Sequence, residues 1–565
     1  MHNKTLSPIE LSLFASRIDA VCEEMGAVLQ RTAFSSNIKD RLDFSCAVFD
    51  AQGNLCAQAA HIPVHMGSMA YAMADIVRCL TWGEGDMVIL NDPYLGGTHL
   101  PDVTLIAPLF IEHELIAFVV NRAHHADIGA ETPGSMPISQ TLAEEGIIIP
   151  PSYLIKNQQL QPSVLMSIVS HTTHPAQSKG DLAAQISANK AGLIRLRALV
   201  IAMQHTASCA SFNAAFKAAL TQLNDYAQRL ARHALSAIPD GDYRFHDVMD
   251  DDGLGNENIP IAVTITVNGH QVLVDFTGTA PQTAGNINCP ISVAAAGVYY
   301  VFSCLMPRYT PACEGRFRDI KLMAPAGCLL NAERPAAVAA GNVETSTRVV
   351  DVVMGALANA IPHQIPAASH GSMNNIAMGA RLITSSGVSL GHGCPGNGGQ
   401  RNGHVAHGKN AGSNAPVEWD YYETIGGGMG AGPLHQGLSG VQTHMTNTRN
   451  TPVEVLESLF PLRITNYSLR RHSGGAGKHR GGDGISRCFE FLQATTVTLL
   501  TERRTHAPWG LQGGGAGKTG ENLLNAKKLK PKQTFQAQVG DQLTINTPGG
   551  GGWGVSVGAD DSVSD

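Results

Sequence analysis

The sequence predicts a multidomain α+β protein with mixed sheets, packed helices and a β-rich C-terminal region. In the first 240 residues, long segments of helical periodicity alternate with short apolar runs of strand length. A strong hairpin signal, Asn268-Gly269, then joins two segments of alternating polarity. Beyond about residue 480, short β-branched runs are separated by glycine-rich turns, a pattern typical of a β-rich region.

Chain length and changes in residue pattern predict how the chain divides into domains. At 565 residues it exceeds one ordinary hydrophobic core, so two to four domains are expected. The predicted units are an N-terminal α+β domain with a metal site (1–239), a glycine-rich α+β domain (240–480), a β-rich region (481–554) and a disordered tail (555–565).

The first predicted element is a helix that begins at Pro8. Ser7 as N-cap, a proline at the first helical position and Glu10 form a capping-box pattern. Residues spaced alternately by three and four positions then predict one buried stripe: Leu11, Phe14, Ile18, Val21, Met25, Val28 and Thr32. A hairpin of Phe44 to Phe49 and Leu55 to Ala59 follows, with Asp43 at its open end.

A second predicted hairpin carries acidic and imidazole side chains at its open end. Its parts are Val103 to Phe110, the turn Glu112 to Glu114, and Leu115 to Asn121. With this three-residue turn, Ile111 pairs with Leu115, and counting outward sets Asp102 opposite His124. Opposed residues of an antiparallel pair lie about 5 Å apart at Cβ, so these two side chains can share one ion.

A third candidate ligand, His99, lies three residues before Asp102 in a loop rich in glycine and proline, so its ring can reach the same point. Two imidazoles and a carboxylate suit a divalent metal. About one H-x-x-D pair is expected by chance, so the hairpin closure is what makes the pattern informative. The alternative is that these polar residues satisfy loop backbone groups. Neighbouring strand residues point to opposite faces, so His124 and His125 are not expected to bind the same ion, and the register selects His124.

The remaining elements follow from the same patterns. Two helices, Asp181 to Thr206 and Ser211 to Ala237, close the first predicted domain. Strands are predicted at Ile261 to Val267, Gln271 to Phe276, Thr496 to Leu500 and Gln542 to Ile545. Between these strand groups, the glycine- and histidine-dense stretch from Gly387 to Gly440 shows little periodicity, and we expect it to be functional or interfacial.

Composition excludes several classes of function. The net charge is -7 and no dense basic block occurs, so nucleic-acid binding is not expected. The chain has no signal-peptide pattern and no long apolar run, which predicts a soluble cytoplasmic protein. Eleven cysteines without a C-x-x-C motif indicate buried thiols, with packing roles for Cys46, Cys56, Cys289 and Cys394. Charged residues make up only 15%, which favours a large interface with a partner subunit.

Two glycine-rich segments resemble phosphate-binding loops, and neither fits. Gly513 to Thr519 has Gln512 where the pattern G-x-x-x-x-G-K-[ST] needs its first glycine, and no apolar strand leads into it. Gly474 to Gly482 offers amides and cations for an anion, but a connection between strands is the better interpretation. Ser439 lacks the strand-turn-helix setting of a nucleophile, so acyl-enzyme chemistry is not supported.

Several motifs together resemble the hydantoinase B/oxoprolinase family over nearly the whole chain. They are D-R-L-D-F-S-C-A-V-F-D (40–50), H-I-P-V-H-M-G-S-M (61–69), N-D-P-Y-L-G-G-T-H-L-P-D (91–102), N-R-A-H-H-A-D-I-G (121–129), G-N-V-E-T-S-T-R-V-V-D (341–351), T-N-T-R-N-T-P-V-E-V-L-E (446–457), S-G-G-A-G-K-H-R-G-G (473–482) and T-P-G-G-G-G-W-G (547–554). The agreement of many long motifs in the same order makes coincidence very improbable.

The resemblance implies the metal-bearing subunit of an ATP-dependent hydantoinase, 5-oxoprolinase or lactamase, working with a hydantoinase A-type subunit that binds ATP. It places the metal site on Asp43, His99, Asp102 and His124. Zn²⁺ and Mn²⁺ both suit such mixed nitrogen and oxygen ligands. One departure is visible: where relatives usually carry an arginine before Gly180-Asp181-Leu182, this chain reads S-H-T-T-H-P.

The implied reaction is ATP-dependent opening of a cyclic amide by a hetero-oligomer, with hydantoin, 5-oxoproline or another lactam as substrate. His125 or Asp127 would move the proton, or would instead orient His124. The alternative function is ATP-dependent carboxylation of a ketone, as in acetone carboxylases, at the same site. A third, non-enzymatic hypothesis is a metal-stabilised scaffold for the partner.

Overall fold

The computed structural model describes residues 6–59, 62–206, 212–381 and 418–556. Within these ranges no helix is both long and apolar enough to cross a bilayer. Most of the stretch from Gly387 to Gly440 and the predicted tail beyond residue 556 lie outside the described residues.

The helices are α1 (Pro8–Thr32), α2 (Ser36–Lys39), α3 (Pro63–Cys79), α4 (Pro162–Val169), α5 (Pro175–Thr206), α6 (Phe212–Leu235), α7 (Ile291–Leu305), α8 (Ser346–Ala358) and α9 (Val453–Leu459).

The first sheet is antiparallel, with the strand order β2-β1-β5-β4-β3-β6-β7. One face packs against α1, α5 and α6, and the other against α3. Both faces of the central strands are therefore buried. Its strands are β1 (Phe44–Asp50), β2 (Leu55–Ala59), β3 (Met87–Leu90), β4 (Asp102–Ile111), β5 (Glu114–His124), β6 (Ser152–Lys156) and β7 (Gln159–Leu160).

The N-terminal helix forms as its sequence predicts. The Ser7 hydroxyl accepts a hydrogen bond from the Glu10 amide, and the Glu10 carboxylate accepts one from the Ser7 amide, which completes the capping box. The buried stripe is confirmed through Met25 and then shifts, because Leu29 is buried where Val28 was expected. The hairpin β1–β2 also forms with the predicted bounds to within one residue.

The hairpin β4–β5 differs from the prediction at its turn and agrees at its open end. The turn has two residues, Glu112 and His113, both with positive φ, so Ile111 pairs with Glu114 rather than with the predicted partner. A bulge between β4 residues 109 and 110 then shifts the register by one. Asp102 consequently lies opposite His124, as the sequence predicts.

The second sheet has the order β11-β10-β9-β8 and packs against α7 and α8. The predicted hairpin at Asn268-Gly269 is present as β9–β10, and its turn consists of Gly269 and His270 because Asn268 pairs with Gln271. Its strands are β8 (Gly241–Asp251), β9 (Glu257–Asn268), β10 (Gln271–Asp275) and β11 (Ile320–Met323).

Two further antiparallel sheets share a core and make up the C-terminal part of the described chain. Their strand orders are β13-β12-β16-β19 and β14-β15-β20-β17-β18, so strands from both sides of residue 480 pair with each other. The strands are β12 (Asn375–Ala380), β13 (Trp419–Glu423), β14 (Leu462–Arg470), β15 (Gly484–Phe491), β16 (Thr495–Leu500), β17 (Glu521–Leu524), β18 (Lys527–Lys528), β19 (Lys532–Ala537) and β20 (Gln542–Asn546). The domain boundaries given above stay a prediction.

Glycine-rich segments outside these sheets lie side by side and form what we call the glycine array: residues 427–440, 473–482, 510–518 and 547–554. Backbone amides and carbonyls join the segments, for example Gly475 N to Gly550 O at 2.8 Å and Gly550 N to Gly482 O at 2.9 Å. A Cβ at Gly482 would lie 1.8 Å from a neighbouring carbonyl oxygen, so only glycine allows this approach.

The array also accounts for the segment that resembles a phosphate loop. The amides of Gly514, Gly515, Gly517 and Lys518 all donate to protein carbonyls, so they are not available to a phosphate. Of the cysteines predicted to pack in the core, Cys46, Cys56 and Cys289 are buried and free, and Cys394 lies outside the described residues.

Candidate metal centre

The open end of the hairpin β4–β5 brings three predicted ligands together. Asp102 begins β4, His124 ends β5, and the loop before β4 supplies His99. One nitrogen or oxygen atom from each side chain lies within 4.8 Å of the others, and all three residues are buried. The structure thus brings the three predicted ligands together, and their role as metal ligands stays a prediction.

Distances within this cluster show how the carboxylate joins the two rings. Asp102 Oδ1 lies 3.3 Å from His124 Nδ1, and Asp102 Oδ2 lies 3.3 Å from His99 Nε2. His99 Nδ1 is 3.3 Å from the Ala339 carbonyl and donates to it. A neutral His99 therefore turns the lone pair of Nε2 toward a carboxylate oxygen, and a cation, either a proton or a metal ion, is needed between these two acceptors.

Each residue of the cluster also has an unsatisfied side-chain atom. His99 Nε2, Asp102 Oδ1 and His124 Nε2 are buried and have no hydrogen-bond partner among the described residues. Leaving such groups buried and unpaired costs about 1–3 kcal/mol each, so a native structure normally supplies a partner. Two imidazole nitrogens and a carboxylate oxygen fit a divalent transition metal. The donor set therefore fits the implied cofactor.

A loop anchored at both ends positions His99. The Asn91 side chain donates 2.8 Å hydrogen bonds to the carbonyls of Leu100 and Ile147. Arg122, buried on β5, donates to Thr104 Oγ1 at 2.8 Å and to the Gly96 carbonyl at 2.8 Å. Gly96 adopts φ 104°, a conformation that favours glycine. The loop before β4 is thus fixed to the sheet on which His124 lies.

Three residues in the centre were not predicted as ligands or contacts. His65, on α3, donates from Nε2 to Asp102 Oδ2 at 3.1 Å. Asn342 Nδ2 donates to the same oxygen at 3.4 Å from a π-helical turn, a distortion that is frequent at functional sites. Tyr422, on β13, stacks on His124 with ring centroids 4.5 Å apart. His65 and Asn342 lie in motifs that carried the family resemblance, but periodicity alone gave no signal for them.

Asp43, the fourth ligand implied by the resemblance, is close to the cluster without being part of it. Its carbonyl accepts the His124 amide at 3.0 Å, and its carboxylate lies 3.8 Å from Arg41. It lines a cavity of about 20 Å³ together with Asp102, His124 and further polar residues. This volume suffices for one water molecule or ion. A ligand role for Asp43 stays a prediction.

His125 and Asp127, the predicted proton-transfer residues, face away from that cavity. His125 Nε2 lies 3.0 Å from Gln185 Oε1. Asp127 accepts hydrogen bonds from the Gly129 amide, the Ser135 hydroxyl and the Thr173 amide, and so holds its own loop. Both residues line a separate small pocket, which also includes His174 of the divergent S-H-T-T-H-P segment. Their contacts favour positioning, and the proton-transfer role stays a prediction.

Burial and neighbouring charges have opposite effects on the pKa values of the cluster. Burial alone would raise the pKa of Asp102, but the neighbouring imidazoles of His99, His65 and His124 hold the pKa well below its usual range. Burial lowers the pKa of His124. For His99, the Asp102 carboxylate outweighs the burial and raises the pKa. The carboxylate is thus kept ionised, which is the form that binds metals.

The chain is similar to known proteins over nearly its whole length. Residues 7–556 match the family model described as hydantoinase B/oxoprolinase. The chain belongs to the hydantoinase B/oxoprolinase family. Two family members illustrate the range of chain lengths. The chain is 36% identical to 5-oxoprolinase 1 of Arabidopsis thaliana over 97% of its own length, but it spans only 42% of that protein. It is 30% identical to one subunit of a putative D-/L-hydantoinase of a Pseudomonas species, and it covers 90% of that relative.

Solved structures confirm the α+β multidomain fold. The ATP-dependent caprolactamase of Pseudomonas jessenii matches with a TM-score of 0.84 and 26% identity, covering 98% of this chain and 92% of that one. An acetone carboxylase shares the fold with a TM-score of 0.79 and 17% identity, over 97% of this chain and 76% of that one. This member of the hydantoinase B/oxoprolinase family therefore resembles an ATP-dependent caprolactamase in sequence and fold, whereas its likeness to the acetone carboxylase concerns the fold alone.

Proposed function

We propose that this protein is the metal-dependent subunit of an ATP-dependent cyclic amidohydrolase that opens a hydantoin, 5-oxoproline or another lactam. One observation carries the proposal: His99, Asp102 and His124 are buried, bring one ligand atom each within 4.8 Å of the others, and each have a side-chain atom without a partner among the described residues. The family membership and the likeness to 5-oxoprolinases and caprolactamase support the choice of reaction.

Each residue of the cluster has a defined task in this proposal. His99, Asp102, His124 and Asp43 would hold Zn²⁺ or Mn²⁺, which when bound lowers the pKa of water and polarises an oxygen. Hydrogen bonds from His65 and Asn342 to Asp102 Oδ2 leave Oδ1 for the cavity. The Ala339 carbonyl fixes which nitrogen of His99 faces inward. Burial of the site limits access of bulk water to a reactive intermediate.

ATP supplies the driving force because an unstrained lactam resists water. In this scheme the lactam oxygen takes the γ-phosphoryl group of ATP and ADP leaves. One water adds to the activated carbon, the ring C–N bond breaks, and an acyl phosphate remains. A second water hydrolyses this acyl phosphate to the carboxylate and phosphate, so that one ATP and two waters are used for each ring.

A hydantoinase A-type partner subunit would bind the ATP in a cytoplasmic hetero-oligomer. Three observations support this part of the proposal. The chain spans 42% of Arabidopsis 5-oxoprolinase 1, so most of that protein lies outside the matched region. The Pseudomonas relative is named as one subunit of its enzyme. In this chain, the segment most like a phosphate loop has its amides engaged in the glycine array.

Reconstitution with the partner tests the proposal. The complex is supplied with ATP and with hydantoin, 5-oxoproline, caprolactam or acetone, and ring opening and ADP are measured. We expect turnover of a cyclic amide that His99→Ala or His124→Ala abolishes while the complex stays assembled. His113→Ala, a change in the distant turn of the same hairpin, serves as the matched control and should keep full activity.

Two other outcomes would replace the proposal. Retention of bicarbonate-derived carbon in a product from acetone, without opening of any ring, would assign the site to ketone carboxylation. Loss of bound metal in His99→Ala without any effect on turnover would leave the centre as a structural support for the partner.

A further inference from the structure

An open cleft borders the metal cavity. It has a volume of about 380 Å³ and is lined by Gly426, Gly440, Gln442, residues 448–453 and Tyr467. Thr448 lines both the cleft and the metal cavity. A larger cavity of about 630 Å³, around Tyr71 on α3, shares no lining residue with the metal cavity. Of these two cavities, the cleft is the one that borders the metal cavity.

Hydrogen bonds fix the backbone of the cleft next to the metal site. The hydroxyls of Thr448 and Thr424 are 2.7 Å apart. Asn450 Nδ2 donates to the Thr424 carbonyl at 2.8 Å, and the Arg449 amide donates to the Arg41 carbonyl at 2.9 Å. The segment that lines the cleft is therefore tied both to the end of β13 and to the chain just before Asp43.

The side chain of Arg449 stands out against this fixed backbone. It is exposed, and it makes no hydrogen bond or ion pair with any residue in the described ranges. Arg449 is also the one charged residue among those that line the cleft, beside the amides of Gln442 and Asn450 and the hydroxyl of Tyr467. These neutral groups already donate to protein acceptors, so the guanidinium is the group of the cleft that suits a phosphate or carboxylate.

We propose that this cleft binds the phosphate-bearing form of the substrate before it reaches the metal cavity, with Arg449 as the ligand of the phosphate group. The inference rests on the function proposed above, in which the carbonyl oxygen is phosphorylated. Both species in that scheme, the phosphorylated lactam and the acyl phosphate, carry an anionic phosphoryl group. The positive charge of the cleft favours these species over the neutral lactam.

Calorimetric titration of the full chain with inorganic phosphate tests the site directly. We expect wild type to bind, Arg449→Ala to weaken binding at least tenfold, and Arg449→Lys to weaken it less because the charge remains. Arg471→Ala removes an exposed arginine outside the cleft and should leave the affinity unchanged. No binding to wild type, or equal binding to Arg449→Ala, would overturn the proposal.

Kinetics of the complex with the partner separate this inference from the proposed function. We expect Arg449→Ala to lower turnover of the cyclic amide at least tenfold while metal content stays unchanged. An active complex with wild-type turnover in Arg449→Ala would refute the cleft alone. A complex that opens no cyclic amide, combined with Arg449-dependent phosphate binding, would refute the proposed function and leave the anion site in place.

Discussion

At the scale of single residues, the two oxygens of Asp102 have different surroundings. Oδ2 accepts from Thr98, His65 and Asn342, whereas Oδ1 has no hydrogen-bond partner among the described residues. The donors on one oxygen fix the carboxylate plane and direct the other oxygen into the cavity. Such outer contacts orient metal ligands and tune the affinity for the ion.

Glu145 is expected to control metal affinity from outside the ligand set. Its Oε1 accepts the amides of Val338 and Ala339, both at 2.9 Å, and the Ala339 carbonyl in turn accepts from His99. Glu145→Ala should release this backbone and the orientation of the His99 ring. We expect a loss of metal affinity of about 10- to 100-fold, measured by competition with a chelator.

The neighbouring Glu144 provides the control for this prediction. Its carboxylate accepts hydrogen bonds from the Thr141 hydroxyl and the Gln140 amide at the surface, so it holds its own turn rather than the backbone beside His99. Glu144→Ala should keep the wild-type metal affinity. Equal metal affinities for Glu145→Ala and wild type would show that the position of the Ala339 carbonyl does not depend on Glu145.

His370 is expected to make the fold sensitive to acid. Burial, with smaller contributions from His444 and Arg504, lowers the pKa of His370 to about 3. The unfolded chain binds a proton below about pH 6.5 and the folded chain does not, so stability falls as pH decreases from 6.5 toward 3. From pH 7 to pH 5 this single group should cost about 2 kcal/mol of unfolding free energy.

Denaturant titrations at both pH values test the effect of His370. His370→Gln, which has no titratable group, should lose about that much less stability on acidification than wild type does. His472→Gln, at an exposed position, should keep the wild-type dependence. A His370→Gln variant with unchanged pH dependence would contradict the prediction.

Whether a residue of the centre could be predicted from the sequence depends on how far it lies from Asp102 along the chain. Asp102 and His124 were predictable because hairpin pairing is a local rule that converts sequence spacing into proximity, and His99 because it lies in the loop three residues before Asp102. His65 and Asn342 reach Asp102 across 37 and 240 residues. Their positions depend on how helices pack between sheets, which residue periodicity does not encode.

At the scale of secondary structure elements, the hairpin β4–β5 shows why the predicted register holds although the predicted turn is wrong. The turn is one residue shorter than expected, and the bulge between Leu109 and Phe110 compensates for the difference. Turn length depends on which residues accept positive φ, and Glu112 and His113 gave no glycine or asparagine signal for that. The apolar runs on both strands, buried on each face of the sheet, fix the pairing instead.

The capping box of α1 makes a prediction for the stability of that element. Ser7→Ala removes the hydroxyl that accepts from the Glu10 amide, and it should lower the unfolding free energy by about 0.5–2 kcal/mol. Ser7→Asp keeps an acceptor at the same position and should restore most of the loss. Denaturant titration measures both, and identical values for Ser7→Ala and wild type would show that the cap contributes nothing.

At the scale of the whole molecule, the glycine array connects parts of the chain that are distant in sequence. Its four segments are divided between two predicted regions, yet Gly482 N donates to Met429 O and Gly428 N to Pro548 O, at 2.9 and 3.0 Å. The excess of glycine is visible in the sequence, where it predicts turns. Which backbones lie against each other depends on the tertiary arrangement and could not be predicted.

Two adjacent glycines test the close packing of the array. A Cβ at Gly514 would lie 2.1 Å from Gly552 O, whereas a Cβ at Gly515 would meet its nearest atom at an ordinary 3.4 Å. Gly514→Ala should therefore destabilise the protein by about 1–3 kcal/mol or more. Gly515→Ala should change stability by less than about 1 kcal/mol. Similar thermal unfolding of the two variants would contradict backbone-to-backbone packing.

Packing of backbone against backbone also has a thermodynamic consequence. The array fills its interior with peptide groups in place of the aliphatic side chains of an ordinary core, as at Gly481, Gly550 and Gly552. Exposing apolar surface raises the heat capacity on unfolding, and exposing polar surface lowers it. Calorimetry should therefore find a heat-capacity increment below the usual value of about 12–15 cal/mol/K per residue for this part of the molecule. Its stability should in turn vary less steeply with temperature than that of the helix-covered sheet.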